Sequence, residues 1–291
     1  MFEDKRVLLM RNGEVRVVVG YEHPPGCSIA YLKYVYTGRG PWKGFERVVK
    51  EYTPEEVRKG SLVYDPNFGS LVPCASHSEV LRAPDPLERA KEVISSPKDL
   101  LEERFVELYD CLRIRDLGLG GSLLLGIQHE NSDVDSLIYP RGDPLWIWEE
   151  LENSDLLEEE REWSLRVSKL LGLPLNEVKR LYSKAKRAMF KGTAVSFAFV
   201  KKDLERYGSS VADPIGKIEL VLDMEPCPEA LYYPHRCWAG RYLIESYESS
   251  FVKVFVKGGR VRVKGYLWRR SDGTEVIRIG GREERGYLLF A

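Results

Sequence analysis

The stretch LGLGGSLLLGIQHENSDVDSLIY, residues 117–139, decides the fold that we expect for this chain. Gly121 and Ser122 precede a compact apolar run; glycine lets the backbone approach a ligand closely, and amides at a helix start favour phosphate. Asp133 and Asp135 are two residues apart, which on a strand places both carboxylates on one face. Such a pair suits Mg²⁺, which binds a few carboxylates together with substrate phosphates. A phosphate cradle facing two carboxylates is what metal-assisted nucleotidyl transfer requires.

The same residues carry a family resemblance. Gly121-Ser122, ten intervening residues and then Asp133-Val134-Asp135 resemble the signature of the DNA polymerase beta-type nucleotidyltransferase superfamily. With Gly126 and Ser132 included, the pattern is especially similar to archaeal CCA-adding enzymes and minimal nucleotidyltransferases. The resemblance covers 117–139. It implies a palm with a mixed sheet, two Mg²⁺ ions held by the aspartates, and a nucleoside triphosphate gripped at its β- and γ-phosphates by Gly121 and Ser122.

Two residues depart from the pattern of the relatives. Many relatives have a basic residue just before the second glycine, where this chain has Leu125. Relatives usually have an apolar residue after the second aspartate, where this chain has Ser136. The first departure concerns the phosphate contacts and favours an alternative function, a catalytically degenerate nucleotide- or RNA-binding protein of the same fold. A toxin-antitoxin nucleotidyltransferase is a further alternative, although such proteins are usually short.

The mechanism of the family needs a third carboxylate on a neighbouring strand. The best candidate strand is 217–225, in which a period of two separates an apolar face from the face that carries Glu219, Asp223 and Glu225. We choose Asp223, because the sequence from Asp223 to Cys227 resembles the Asp-apolar-Val-Pro-Cys stretch of archaeal CCA-adding enzymes. Glu219 is the second choice, and a solvated acidic strand face is the structural alternative.

The order of predicted elements indicates an α+β fold in three parts. Residues 1–80 form an N-terminal β-rich module, in which Asn12-Gly13 between apolar runs predicts a hairpin. Residues 81–240 form the nucleotidyltransferase palm domain with a helical insertion, which includes helices from Pro144 to about Leu171 and from Asn176 to about Phe190. Residues 241–291 form a small C-terminal β module, read as strand-turn-strand from about Phe251.

The tail is a candidate nucleic-acid surface. Residues 251–270 contain seven basic residues and no acidic residue. On a strand from Arg260 to Trp268, basic side chains share a face with Tyr266 and Trp268, a combination that suits single-stranded RNA. A solvated strand face on which Lys and Arg prevent edge aggregation is the equal alternative.

Composition limits the function classes. The 291 residues carry a formal net charge of −1, so any attraction to nucleic acid must come from local clustering. The five cysteines are scattered, which predicts no disulfide framework, and no apolar stretch is long enough to cross a bilayer. We therefore expect a cytoplasmic protein without a membrane partner. Charged residues make up 31% of the chain, which fits a thermophilic source.

The sequence thus predicts a Mg²⁺-dependent nucleotidyltransferase that moves a nucleoside monophosphate from a nucleoside triphosphate to an acceptor hydroxyl, with RNA as one candidate acceptor. Asp133, Asp135 and Asp223 are its expected catalytic and metal-binding residues. The choice of nucleotide, the class of acceptor and the oligomeric state lie outside what these residues specify.

Overall fold

The chain forms two compact units. The computed structural model describes residues 1–112 and 114–291, and of residues 54 and 55 it describes the backbone alone. The first unit comprises Met1–Arg141 and Met189–Ser210, and the second comprises Gly142–Ala188 and Val211–Ala291. Helices and several sheets occur together in the chain, so the α+β class is confirmed.

A seven-stranded sheet opens the first unit, in the order β5-β6-β3-β2-β1-β7 with β4 added to β3. Its strands are β1 (Val7–Met10), β2 (Glu14–Val18), β3 (Cys27–Gly40), β4 (Gly44–Arg47), β5 (Leu62–Asp65), β6 (Ser70–Ser76) and β7 (Val80–Arg82). The predicted hairpin joins β1 to β2, and Gly13 has a φ of 81° there, which glycine adopts readily. Helix α1 (Pro54–Val57) begins after Thr53, whose side chain accepts a hydrogen bond from the Glu56 amide.

A second, four-stranded sheet carries the signature. Its elements, with the preceding helices, are α2 (Pro86–Ser95), α3 (Leu100–Leu112), β8 (Leu117–Leu119), α4 (Gly121–Leu125), β9 (Val134–Ile138), β10 (Arg187–Phe190) and β11 (Thr193–Phe199). The strand order is β10-β11-β9-β8; β8 is antiparallel to β9 and β11 is parallel to it, so the sheet is mixed as expected.

The seven-stranded sheet shares a buried cluster with the signature segment. Val15, Val17 and Tyr34 of the seven-stranded sheet pack in one buried cluster with Leu124 and Ile127 of the signature segment. The predicted boundary at residue 80 therefore does not separate two cores, because the signature helix buries its apolar face against the N-terminal strands.

The second unit contains the predicted helical insertion and the tail. Its helices are α5 (Pro144–Asn153), α6 (Trp163–Leu171), α7 (Leu175–Leu181) and α8 (Val252–Lys257). Its six strands are β12 (Ala212–Met224), β13 (His235–Ala239), β14 (Tyr242–Ser246), β15 (Gly259–Arg270), β16 (Glu275–Ile279) and β17 (Tyr287–Phe290), in the order β12-β15-β16-β14-β13 with β17 added to β15. The tail strand β15 pairs with β12 from Ala212 opposite Arg270 to Met224 opposite Gly259, so residue 240 is not a boundary either.

Three local predictions differ from the structure. Val252–Lys257 is a helix rather than a strand, because it buries Val252, Val254, Phe255 and Val256, which overrides the alternating pattern. Arg187–Phe190 is a strand rather than the end of a helix, since α7 ends at Leu181. The helical pattern from Pro144 is broken into α5 and α6 by residues 154–162.

Two further expectations concerned cysteines and membranes. Cys27 on β3 and Cys74 on β6 form a disulfide with a Cα–Cα distance of 6.0 Å, which corrects the expectation of unpaired cysteines. It joins two strands that are already paired at Ile29 and Cys74. Among the described residues, the helices are all too short or too polar to span a bilayer.

Candidate functional site

The two halves of the signature lie against each other. Asp135 lies on β9, and the Gly120 amide donates a hydrogen bond to its carbonyl oxygen at 2.8 Å. A Cβ atom on Gly121 would overlap Oδ2 of Asp135, so the carboxylate lies directly over the glycine. Gly121 also has a φ of 54°, in the left-handed region. Position 121 therefore needs glycine both for its backbone and for the space that Asp135 occupies.

The short helix between the two halves is buried. Ser122 is 5% exposed, so its side chain contributes to the interior of the first unit. The helix ends at Gly126, which has a left-handed φ of 70°. Leu125 is half-buried and packs against the cluster that contains Val15 and Tyr34. The apolar residue at position 125 thus has a packing role.

A buried carboxylate positions the loop between the two halves. Glu102 of α3 is 1% exposed and accepts hydrogen bonds from Arg89 at 2.5 Å and from Gln128 at 3.3 Å. Arg89 also donates to the Leu123 carbonyl at 3.3 Å, and Gln128 donates to Asp99 at 2.8 Å. Helices α2 and α3 thereby fix both ends of the segment that leads to Asp133.

A lysine from the N-terminal sheet reaches the signature. Lys33 of β3 is 7% exposed, and its Nζ lies 3.9 Å from Oδ2 of Asp135. The register between β2 and β3 shifts at this point: Arg16 faces Leu32 and Val15 faces Tyr34, so Lys33 is the extra residue of a β-bulge. Bulges redirect side chains and are frequent beside active sites. The bulge therefore accounts for a charged side chain within 28–34, the buried part of β3.

An arginine accompanies this lysine. Arg47 of β4 faces Tyr34 across the β3–β4 ladder, and its guanidinium donates to the Tyr52 hydroxyl at 3.3 Å. Burial by itself lowers the pKa of Arg47, but Tyr52, Tyr34 and then the Asp133 carboxylate raise it, and the net shift is upward. The N-terminal sheet thus supplies two cations, Lys33 and Arg47, and Asp135 and Asp133 respectively contribute to the raised pKa of each.

The ionisation of this group of side chains is coupled. Burial by itself lowers the pKa of Lys33, but the neighbouring Tyr52 hydroxyl, Tyr31 and Asp135 outweigh it, and the net pKa is well above the ordinary value. Burial has the opposite effect on the Tyr52 hydroxyl and raises its pKa, but Lys33 and Arg47 outweigh burial and lower that pKa below its ordinary value. Lys33 therefore remains an ammonium ion at neutral pH.

The strand beside Asp135 carries a serine. Ser196 of β11 is the direct Cα partner of Asp135, and its hydroxyl donates to Oδ1 of the carboxylate at 2.6 Å. The sequence of β11, Thr193–Phe199, contains no acidic residue. The neighbouring strand, where the family places its third carboxylate, therefore presents a hydroxyl at this register.

Asp223 and Glu219 lie in the sheet of the second unit. Their strand, β12, pairs with β15 and not with β9, so the expected adjacency to the Asp133–Asp135 strand is wrong. Asp223 is exposed and lies opposite Arg260, and Glu219 lies opposite Lys264 and accepts a hydrogen bond from Tyr287 at 2.6 Å. Alternation of apolar and polar residues identifies a strand, but it does not specify which strand pairs with it. That either carboxylate acts as a metal ligand stays a prediction.

The same pairing bears on the basic face of β15. Arg260 and Lys264 face the acidic residues Asp223 and Glu219 on β12. Trp268 is 6% exposed, and the Arg278 guanidinium lies 4.8 Å from its ring centroid. Trp268 is therefore covered by residues of its own unit and is not accessible for stacking on a base. Of the two aromatic residues in the RNA-binding hypothesis for residues 251–270, only Tyr266 remains a candidate.

The residues at the signature fit one metal ion better than two. No group of three or more His, Cys, Asp or Glu side chains within residues 1–112 and 114–291 is arranged to hold a metal. Mg²⁺, however, binds through one or two carboxylates when substrate phosphates supply further oxygens. Asp135 on β9 and Asp133, which immediately precedes that strand, are the two carboxylates that the signature offers to such an ion. The second ion of the family has no carboxylate on β11 to hold it.

Comparisons with known proteins add no relative. No family model, no curated protein and no solved structure matches this chain. The assignment of function therefore depends on the residues described above. Lys33, Arg47 and Ser196 were missed from the sequence, although a lone lysine in the apolar strand 28–36 was a usable signal.

Proposed function

We propose that this protein is a Mg²⁺-dependent nucleotidyltransferase whose site is formed by Gly121, Asp133 and Asp135. The observation that carries the proposal is the position of the Asp135 carboxylate directly over the Cα atom of Gly121, which brings the two halves of the signature together. Further support comes from the mixed sheet, in which β9 lies between an antiparallel and a parallel neighbour.

The proposed chemistry assigns simple roles to these side chains. Mg²⁺ bound with the triphosphate would neutralise charge that develops on the phosphates as the leaving group departs. Asp133 and Asp135 would hold that ion, and the Ser196 hydroxyl orients the Asp135 carboxylate by its 2.6 Å hydrogen bond. An acceptor hydroxyl would attack the α-phosphate and lose its proton to water; the new phosphoester forms as the bond from the α-phosphorus to the bridging oxygen breaks, and pyrophosphate leaves.

The test is transfer of a labelled α-phosphate. Wild-type protein, Asp133→Asn and the control Asp110→Asn, at an exposed aspartate of α3, are incubated with Mg²⁺, each labelled nucleoside triphosphate and total cellular RNA. We expect label in an acid-insoluble product for the wild type and the control, and at least about 100-fold less for Asp133→Asn, a loss of about 3 kcal/mol of transition-state stabilisation. Digestion with ribonuclease or protease then identifies the acceptor. Label that survives Asp133→Asn would disprove the assignment.

A second candidate function is binding of Mg²⁺ and nucleotide without transfer. The observation that favours it is Ser196, which replaces a carboxylate beside Asp135. This candidate predicts that the wild type binds a Mg²⁺-nucleoside triphosphate in calorimetry, that Asp133→Asn does not, and that no acceptor is labelled. Ser196→Asp adds a carboxylate at that register, and transfer that appears only in this variant would favour the binding function for the natural chain.

A further inference from the structure

Lys33 and Arg47 belong to no part of the signature, yet Lys33 Nζ lies 3.9 Å from Oδ2 of Asp135, and Arg47 lies opposite Tyr34, the residue next to Lys33 on β3. Building on the proposed function, we infer that these two side chains bind the β- and γ-phosphates, and that they select nucleoside triphosphates over monophosphates. The N-terminal sheet would then be part of the substrate site.

The first argument is geometric. Lys33 is the extra residue of a β-bulge, and its Nζ lies 3.9 Å from Oδ2 of Asp135. That distance is longer than a direct hydrogen bond, so the ammonium retains donors for a further acceptor. The backbone carbonyl of Lys33 accepts a hydrogen bond from the Val48 amide at 2.9 Å, next in sequence to Arg47. This backbone hydrogen bond between β3 and the residue that follows β4 therefore fixes the positions of Lys33 and Arg47 relative to each other.

The second argument concerns charge. Asp133 and Asp135 would hold a metal ion but would repel the phosphates that accompany it. A nucleoside triphosphate keeps a net negative charge after it binds one Mg²⁺, so the carboxylates alone would oppose its binding. Lys33 and Arg47 balance the two aspartates, and Lys33 does so at 7% exposure, where solvent screening is weak.

The third argument is the apolar residue at position 125. Many relatives of the resembled family have a basic residue there, whereas Leu125 packs into the apolar cluster of the N-terminal sheet. The same sheet carries Lys33 and Arg47. The strands that carry the two cations therefore pack directly against the signature helix.

The experiment compares ligands that differ in phosphate number. Binding of inorganic triphosphate, ATP and AMP, each with Mg²⁺, is measured by calorimetry on the full chain. Variants are Lys33→Met, Arg47→Gln and the control Lys91→Met, which removes an exposed lysine of α2 that pairs with Glu88. We expect Lys33→Met and Arg47→Gln each to weaken triphosphate and ATP about 10- to 100-fold and AMP by less than about threefold, with the control unchanged.

The outcomes separate this inference from the proposed function. Equal weakening of AMP and triphosphate, or no weakening in either variant while Asp133→Asn abolishes binding, overturns the role of the two cations and leaves the proposed function standing. If the wild type binds neither triphosphate nor ATP with Mg²⁺, both fail. Arg47→Gln decides the matter by itself if Lys33→Met does not fold, since Arg47 is only half-buried.

Discussion

Two charged clusters of this protein are built in opposite ways. In the second unit, Glu245 is 0% exposed and meets Arg236 at 2.7 Å, Arg278 at 3.0 Å and Arg270 at 3.6 Å. In the first unit, the Asp135 side chain is 28% exposed and meets Lys33 at 3.9 Å. The cluster around Glu245 is closed, with three arginines on one buried carboxylate, whereas the cluster around Asp135 is open to solvent.

The difference distinguishes a structural ion network from a candidate binding site. Burial raises the pKa of Glu245, but Arg236 and Arg278 more than offset this effect and hold the pKa at about 2. The Tyr247 hydroxyl donates to the same carboxylate at 2.9 Å, which leaves little capacity for a ligand. Asp135, by contrast, receives a hydrogen bond from Ser196 and retains an exposed portion.

The largest effect on stability is expected from Glu245→Gln. Removal of one partner from a buried ionic network leaves uncompensated charge, here on three guanidinium groups, and costs about 3–5 kcal/mol. Asp135→Asn should cost less, about 2 kcal/mol, because it leaves one cation rather than three without a carboxylate and the Asp135 side chain is 28% exposed. Urea unfolding of both variants measures the difference. Equal losses would show that the two clusters are not different in kind.

The next effect is the dependence of stability on pH. The pKa of Glu245 is about 2 in the folded protein, below its ordinary value of 4.5, so its contribution is full above pH 4.5 and disappears as the pH falls towards 2. The contribution amounts to about 3 kcal/mol. Urea titrations between pH 6 and about pH 2.5 should therefore give a shallower acid loss for Glu245→Gln than for the wild type. Parallel curves would contradict the closed-network description.

A smaller loss is expected from Gly121→Ala. The substitution puts a Cβ atom where Asp135 Oδ2 lies and places alanine at a φ of 54°, so we expect a cost of about 2 kcal/mol together with weakened nucleotide binding. Gly142→Ala is the matched control, because a Cβ there meets nothing within 4 Å. Unchanged nucleotide binding in Gly121→Ala would mean that the position of Asp135 over this glycine has no functional role.

The smallest expected effect is stabilisation of the protein by a ligand bound at the cluster around Asp135. Saturating Mg²⁺ with inorganic triphosphate should stabilise the wild type by about 1–3 kcal/mol, since a ligand that binds only the folded state raises its stability. Asp133→Asn should lose this gain, and Glu245→Gln should keep it. Thermal unfolding with and without the ligand measures the shift. A gain that disappears in Glu245→Gln would connect the two clusters.

Local signals in the sequence predicted much of the fold. Asn12-Gly13 predicted a hairpin, and the helical pattern from Pro144 predicted the start of α5, where the Asp143 side chain accepts a hydrogen bond from the Leu145 amide. These signals depend on a few adjacent residues. The alternating pattern of residues 252–257 predicted a strand, but burial of four of the six side chains, rather than local preference, determines their helix.

The candidate site was predictable only where it is local. Gly121, Asp133 and Asp135 lie within one short stretch, and the stretch specifies their relative placement. Lys33 depends on a one-residue shift in the register of β2 and β3 and on packing between elements about a hundred residues apart. Alternation of more and less buried residues could not identify the strand beside Asp135, because β11 and β12 both show it. Long-range pairing therefore set the limit of the sequence prediction.

The division of the chain has a consequence for synthesis of the protein. Strand β11, which pairs with β9 beside Asp135, belongs to Met189–Ser210, and the chain makes Gly142–Ala188 of the second unit before it. During translation, the edge of β9 that pairs with β11 has no partner until residues 142–188 have been synthesised. Exposed strand edges promote aggregation. Slow or interrupted translation within residues 142–188 would therefore prolong the lifetime of a partly folded, aggregation-prone intermediate.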